Sequence, residues 1–234
     1  MALTISAGNL GYYASSRFCP RCAWVGLHVK SLPFQTFPGI FSSIDRYNKL
    51  IVHSHFEREH SPPSWLKQLG ESETYVSPPH WSKYSIVDQD TGTTLRGEAD
   101  GIFRMTDGSY TIVDYKTARH TPGQLGLFQQ YEVQLNAYAY IGERLDFRPV
   151  RKLALVYMEP QTDEGTARRP QLIDNEGFSM GFRATVVPVT VKPDELIPPL
   201  LERATRINEM GEPPVGSQGC DNCEALDGLM RALG

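Results

Sequence analysis

The sequence contains no apolar run near the roughly 18 residues that a helix needs to cross a bilayer. Its opening residues, MALTISAGNLGYY, also lack the basic stretch followed by an apolar one that marks a secretion signal. A cytoplasmic protein with no membrane partner is the expectation. Positive charge is not in surplus either: 23 Lys and Arg against 27 Asp and Glu leave a net charge of -4. That argues against a protein that coats nucleic acid through bulk charge. It does not exclude one that gathers carboxylates around a metal and lines a phosphate backbone with a few basic side chains. Low-complexity tracts and internal repeats are absent, which removes linker and solenoid architectures. What is present is an ordinary globular composition, 40% hydrophobic and 21% charged, on a chain long enough to bury one good core.

The hydrophobic pattern gives a mixed order of elements. Residues 4 to 17 are expected to form a helix leading into a Cys-Pro-Arg-Cys turn. FPGIFSSIDRYNKLIVHSHFERE reads as a second helix that stops before Pro62-Pro63, with Ile40, Ile44, Tyr47, Ile51 and His55 at spacings of three and four on its apolar face. From 84 to 114 the period changes to two. KYSIV, TTLRGEADGIF and SYTIVDY, separated by DQDTG and TDG, predict an antiparallel three-stranded sheet. Residues 127 to 143, LFQQYEVQLNAYAYIGE, return to helical period. KLALVYM suits a buried strand, FRATVVPVTV a strand whose proline points to a sheet edge, and KPDELIPPLLERATRINEM a closing helix. The expected fold is α/β in one domain, residues 1–234, with its core over about 75–192. The helical region 1–74 and the C-terminal region 193–234 flank that core.

The stretch RGEADGIFRMTDGSYTIVDYKTA carries the chemistry. A hairpin here brings Asp100, before one strand, beside Asp114, near the end of the next. Mg²⁺ takes oxygen ligands and keeps several waters, so one or two carboxylates with substrate phosphate oxygens make a working site. Side chains alternate across a strand, so Asp114 and Lys116 share a face while Tyr115 points away and offers its backbone carbonyl. Lys116 is then a fixed positive charge beside the metal. Taken alone, Asp-x-Lys on a strand is more often a solvated ion pair. The small residues around Asp100, and Gln134 with Tyr138 one helical turn apart, weigh toward a site. Glu98 reads as an outward-facing or supporting acid.

Asp100, Asp114-x-Lys116 and Gln134-x-x-x-Tyr138, in that order and with those gaps, resemble the RecB-like branch of the PD-(D/E)XK nuclease superfamily, which includes recombination nucleases and the exonucleases of CRISPR adaptation. The resemblance implies a restriction-endonuclease-like core and a metal-dependent deoxyribonuclease, an exonuclease of repair, recombination or CRISPR adaptation working with protein partners. Asp100, Asp114 and the Tyr115 carbonyl would hold Mg²⁺ or Mn²⁺, Lys116 would act in catalysis, and Gln134 and Tyr138 would contact DNA or support the site. Members of the branch also place a metal-binding histidine on an upstream helix. Of His53, His55 and His60, His55 continues the apolar stripe and is the candidate. The alternative is a catalytically silent nucleic-acid-binding or adaptor module of the same fold.

All four cysteines fall in two Cys-x-x-Cys pairs, Cys19 with Cys22 and Cys220 with Cys223. Four thiolates so arranged can hold tetrahedral Zn²⁺ or an iron–sulfur cluster. The resemblance, in which such a cluster ties the two chain ends beside the nuclease core, favours a 4Fe-4S cluster slightly over Zn²⁺. Arg17, Arg21, Arg46, Lys49, Arg119 and His120 are candidates to meet phosphate, and Trp24, Trp65 and Trp81 to stack on unpaired bases.

Overall fold

The chain's structure, a computed structural model, describes residues 2–29, 38–121, 123 and 125–233. Its elements in chain order are β1 (Thr4–Ser6), α1 (Ala7–Gly11), α2 (Pro20–His28), α3 (Gly39–Glu59), β2 (Ser72–Val76), β3 (Ser85–Val87), β4 (Thr94–Arg96), β5 (Gly101–Met105), β6 (Tyr110–Lys116), α4 (Leu125–Arg144), β7 (Val150–Pro160), α5 (Glu164–Ala167), β8 (Phe182–Val189), α6 (Pro193–Asn208) and α7 (Asp221–Leu233). Short 3₁₀ turns occupy Tyr12–Ala14, Ser64–Leu69 and Pro170–Leu172.

Two mixed sheets result. The larger has strand order β2-β5-β6-β7-β8, with β6 and β7 parallel and every other neighbouring pair antiparallel. Parallel neighbours need a crossover, and α4 supplies it. Alternation along β6 sends Ile112 into the core beneath α4 and sends Val113 and Tyr115 into a second, smaller cluster with Val52 and Phe56 of α3. Ile112 is wholly buried, so truncation to Ala there would cost about 2–5 kcal/mol. Buried Asn136 ties α4 to the end of β8: its Nδ2 donates to the Thr190 carbonyl at 3.0 Å and its Oδ1 accepts from the Lys192 amide at 2.7 Å.

The mixed α/β architecture expected from the sequence is present, with β7 interior and β8, bearing Pro188, at the sheet edge. Three readings are corrected. The segment 84–114 does not form one antiparallel sheet, because the chain leaves its strand at Gly97 and changes sheets before Gly101. β3 and β4 pair with β1 in the smaller sheet, while β5 and β6 belong to the larger. Residues 4 to 17 are not one helix: Thr4–Ser6 pair in parallel with Thr94–Arg96, and Ser6 caps a short helix by accepting from the Asn9 amide. On α3 the stripe of Ile40, Tyr47 and Ile51 faces solvent, and Asn48, Val52 and Phe56 form the buried face. The helix reading began at Phe37, which lies outside the described residues.

Candidate active site and cysteine cluster

β5 and β6 pair with Gly101 opposite Val113, so continuing that register by one residue sets Asp100 opposite Asp114 at the end of the hairpin. Both side chains are buried. Asp100 Oδ2 accepts the Tyr115 amide proton at 2.8 Å, which locks one carboxylate across the strand gap. The N–H and C=O of one strand residue face the same edge. The Tyr115 carbonyl therefore looks toward the place that β5 leaves open before Gly101.

The carboxylates are clamped from the two faces of the sheet. From its own strand, Lys116 Nζ reaches Asp114 Oδ2 at 2.6 Å and Gln134 Oε1 at 3.0 Å, and lies 4.2 Å from the centre of the Tyr131 ring. Gln134, on α4, donates from Nε2 to Asp114 Oδ1 at 3.1 Å and to the Tyr138 hydroxyl at 2.7 Å. Tyr138 is seated by Gly97: a Cβ at that position would lie 2.7 Å from the Tyr138 ring, so a larger residue would displace the ring and Gln134 with it. From α3, Lys49 Nζ bridges Asp100 Oδ1 at 2.7 Å and Asp45 Oδ2 at 2.9 Å.

Burial, and after it the Asp114 carboxylate, push Asp100 up to about 7 against the pull of Lys49. Burial raises Asp114 as well, with Lys116 pulling down. Burial works against the Lys49 ammonium, but Asp100 and then Asp45 outweigh it and hold Lys49 above the ordinary lysine range. Asp114 Oδ2 is fully buried and, among the described residues, receives no hydrogen bond beyond the Lys116 ion pair. Two crowded carboxylates, one with an oxygen lacking a hydrogen-bond donor, fit a divalent cation as ligand.

Asp100, Asp114, Lys116, Gln134 and Tyr138 thus come together, with Tyr115 contributing backbone. His55 does not join them. Residues four apart share a helix face, and the face turned to the acids carries Asp45, Lys49 and His53, which line a hollow with Tyr75 and Glu98. His53 packs edge-on against Tyr75, ring centres 5.3 Å apart. His55 sits two residues on and outside that hollow, because the apolar stripe it continues is the one facing solvent. Asp45 and the role of Lys49 were missed in the sequence reading, and their signal was the i, i+4, i+8 spacing of Asp45, Lys49 and His53. Glu98 is exposed and lines this hollow and the neighbouring one over Gln134. Among the other basic candidates, Arg21 pairs with Asp227, Arg119 with Glu159, and the His120 ring lies against Tyr157.

The four cysteines form a second cluster. Each Cys-x-x-Cys pair starts a helix: Cys19 caps α2, and Cys220 precedes α7. All four Sγ atoms lie within 4.8 Å of one another, with 3.5 Å between Cys19 and Cys223, 3.5 Å between Cys22 and Cys220, and 3.6 Å between Cys22 and Cys223. No disulfide links them. The segment before α7 packs against the cluster: the Ser217 amide donates to Cys19 Sγ at 3.3 Å, and a Cβ on Gly216 would fall 2.7 Å from Cys223 Sγ. Arg21 and Asp227 pair at 2.6 Å between the two helices. Burial raises the Cys19 thiol, but the amides of Cys22 and Ser217 overcome it and bring the group down to about 6. Burial, then the hydrogen bond with Cys19, push Cys223 up to about 11. One thiolate is comfortable here, and further ones need a cation.

No helix among the described residues is long and apolar enough to cross a membrane. No curated protein matches the chain. Among solved structures it is similar to one titled "Crystal structure of SSO0001", at 14% identity over 90% of this chain and 79% of that one, with a TM-score of 0.43. A family model of the PD-(D/E)XK nuclease superfamily matches residues 44–227, a span that takes in Asp45, Lys49, the acid pair, Lys116, Gln134, Tyr138 and the second cysteine pair. The chain belongs to the PD-(D/E)XK nuclease superfamily.

Proposed function

We propose that the protein is a metal-dependent DNA nuclease that hydrolyses phosphodiester bonds from strand ends. The observation that carries this reading is the cross-strand pair of buried carboxylates, Asp100 and Asp114, with Lys116 Nζ 2.6 Å from Asp114. Asp100, Asp114 and the Tyr115 carbonyl would hold Mg²⁺ or Mn²⁺, with His53 taking the upstream-histidine place first given to His55. The cation supplies Lewis-acid polarisation of the scissile phosphate and acidifies water. Lys116, fixed by Asp114, Gln134 and the Tyr131 ring, orients the attacking water and offsets charge on the phosphate. Gln134 holds the lysine and the carboxylate in one hydrogen-bonded unit, and Tyr138 holds Gln134. A setting in repair, recombination or CRISPR adaptation, with protein partners, rests on the resemblance to the RecB-like branch.

The test is purified protein with Mn²⁺ on labelled linear and circular DNA, single-stranded and duplex, beside Asp114→Ala. Shortening of linear substrates alone, lost in the variant, supports the proposal. Uncut DNA, or equal cutting by the variant, sinks it. Lys49 favours a second reading, a catalytically silent binding module, since its ammonium already neutralises Asp100 without a metal. Under that reading DNA binds in a salt-dependent way and stays intact with every metal.

For the cysteines we infer a single tetrahedral Zn²⁺, against the slight preference for a 4Fe-4S cluster. Zn–S bonds of ~2.3 Å make a tetrahedron with edges of about 3.8 Å, close to the sulfur separations of 3.5, 3.5 and 3.6 Å. A four-iron cluster takes one thiolate per corner iron and holds the sulfurs further apart. Anaerobically purified protein should be colourless with one zinc per chain. A brown protein containing iron and sulfide reverses the assignment.

A further inference from the structure

Beside the acid pair, on the α4 side, lies a hollow of about 390 Å³ that the proposed chemistry leaves unused, within the ~300–1,000 Å³ usual for ligand pockets. Gln134 and Tyr138 form its inner wall, and Trp81 and Arg96 its outer one. Trp81 is 43% exposed, an unusual position for the largest apolar side chain. The Arg96 guanidinium lies 4.9 Å from the centre of the Trp81 ring and has no ion pair among the described residues. Arg96 is on the strand that leads directly into Glu98 and Asp100. An indole face offers stacking to any base, and an unpaired guanidinium offers a bidentate grip on phosphate. Glu98 also lines the hollow and repels phosphate, which leaves Arg96 as its seat.

We propose that Trp81 and Arg96 form a subsite for one unpaired DNA nucleotide next to the bond being cut, with the base on the indole and its phosphate on the guanidinium. The proposal rests on the nuclease reading for its substrate. A paired base cannot reach the indole without leaving its stack, so the subsite makes the enzyme prefer single-stranded ends over blunt duplex.

Binding separates this proposal from the chemistry. Fluorescence anisotropy with Asp114→Asn protein, which leaves the hollow intact, compares a labelled oligothymidine with a blunt duplex of equal length. Adding Trp81→Ala should weaken oligothymidine binding by roughly 5- to 150-fold and leave the duplex within about twofold. Trp81→Phe should restore most of the affinity, which rules out a folding defect. Arg96→Ala should weaken binding and reduce the salt slope by about one. Unchanged oligothymidine binding in Trp81→Ala, or an equal loss for both DNAs, overturns the subsite. Absence of cleavage by the wild-type protein overturns the nuclease reading instead, whatever the binding shows.

Discussion

The acid site and the cysteine cluster face the same electrostatic problem and meet it differently. Each crowds ionisable groups of one sign into a buried space. At the acid site the chain supplies its own cations, Lys49 on Asp100 and Lys116 on Asp114. At the cysteines the Arg21 guanidinium pairs chiefly with Asp227 and only secondarily with Cys223, and the amides of Cys22 and Ser217 relieve only Cys19. Under the proposed reading, the acid site is held together empty and would exchange its ion during a reaction cycle. The cysteine cluster would depend on an ion that stays. Sequence distance points the same way: one hairpin and the following helix, residues 100 to 138, supply the acids, Lys116, Gln134 and Tyr138, with Lys49 reaching in from α3, whereas the cysteine cluster joins residues 19–22 to 220–223.

Substitutions at the two sites should separate activity from stability. The largest effect expected is in Asp114→Ala, with cleavage falling to background while the melting temperature stays close to wild type, measured by a nuclease assay and a thermal scan on one preparation. A fall in both together would mean the acids are part of the framework. Cys223→Ser should do the reverse. Cross-linking a loop of this length constrains the unfolded chain by roughly 5 kcal/mol, and each kcal/mol moves the melting temperature of a protein this size by roughly 2–4 °C. A loss of about 10–20 °C is expected, with cleavage at low temperature retained, and a strong chelator should reproduce it. Gln134→Ala sharpens the contrast from within the acid site. It removes the side chain that hydrogen-bonds both Lys116 and Asp114 while leaving their direct ion pair and every proposed metal ligand in place, so cleavage should drop about 10- to 100-fold with little change in melting temperature. Equal activity would show that Lys116 is positioned by Asp114 and Tyr131 alone.

The acid site was legible because its parts are close in sequence and obey the two-residue period of a strand. Asp114 and Lys116 had to share a face once β6 was read as a strand, and Gln134 and Tyr138 had to share one on the following helix. The α3 contribution was not legible, because helical period shows which residues share a face but not which face is inward. Ile40, Tyr47 and Ile51 made the more apolar stripe, yet the sheet is met by Val52 and Phe56. That choice carried Asp45, Lys49 and His53 inward and His55 away. The crossing from one sheet to the other between Arg96 and Gly101 was equally hidden, since β1, the partner that draws β4 away, lies some 90 positions earlier and no local pattern records so distant a pairing. Clustering of the four cysteines could be read from their spacing. The sulfur separations that favour one ion over a cluster could not.

The smallest effect expected is a pH dependence that tests whether the acid site really waits for its cation. In the folded, metal-free protein Asp100 sits at about 7, above its ordinary 3.8. Between those values the native state keeps a proton that the unfolded chain has given up, so this group's contribution to stability is full below about pH 4 and is lost as pH rises through 7. Asp88, Asp107, Asp163 and Asp227 are shifted down and contribute the opposite slope, with stability lost on acidification. The informative quantity is therefore the difference between wild type and Asp100→Asn. Without metal, the wild-type melting temperature should fall relative to the variant between about pH 5 and 7.5, and Mn²⁺ should bind the wild type more tightly as pH rises because the proton must leave first. If wild type and Asp100→Asn run parallel instead, Lys49 already holds Asp100 ionised, and the acid site carries its positive charge permanently rather than giving it up to a metal.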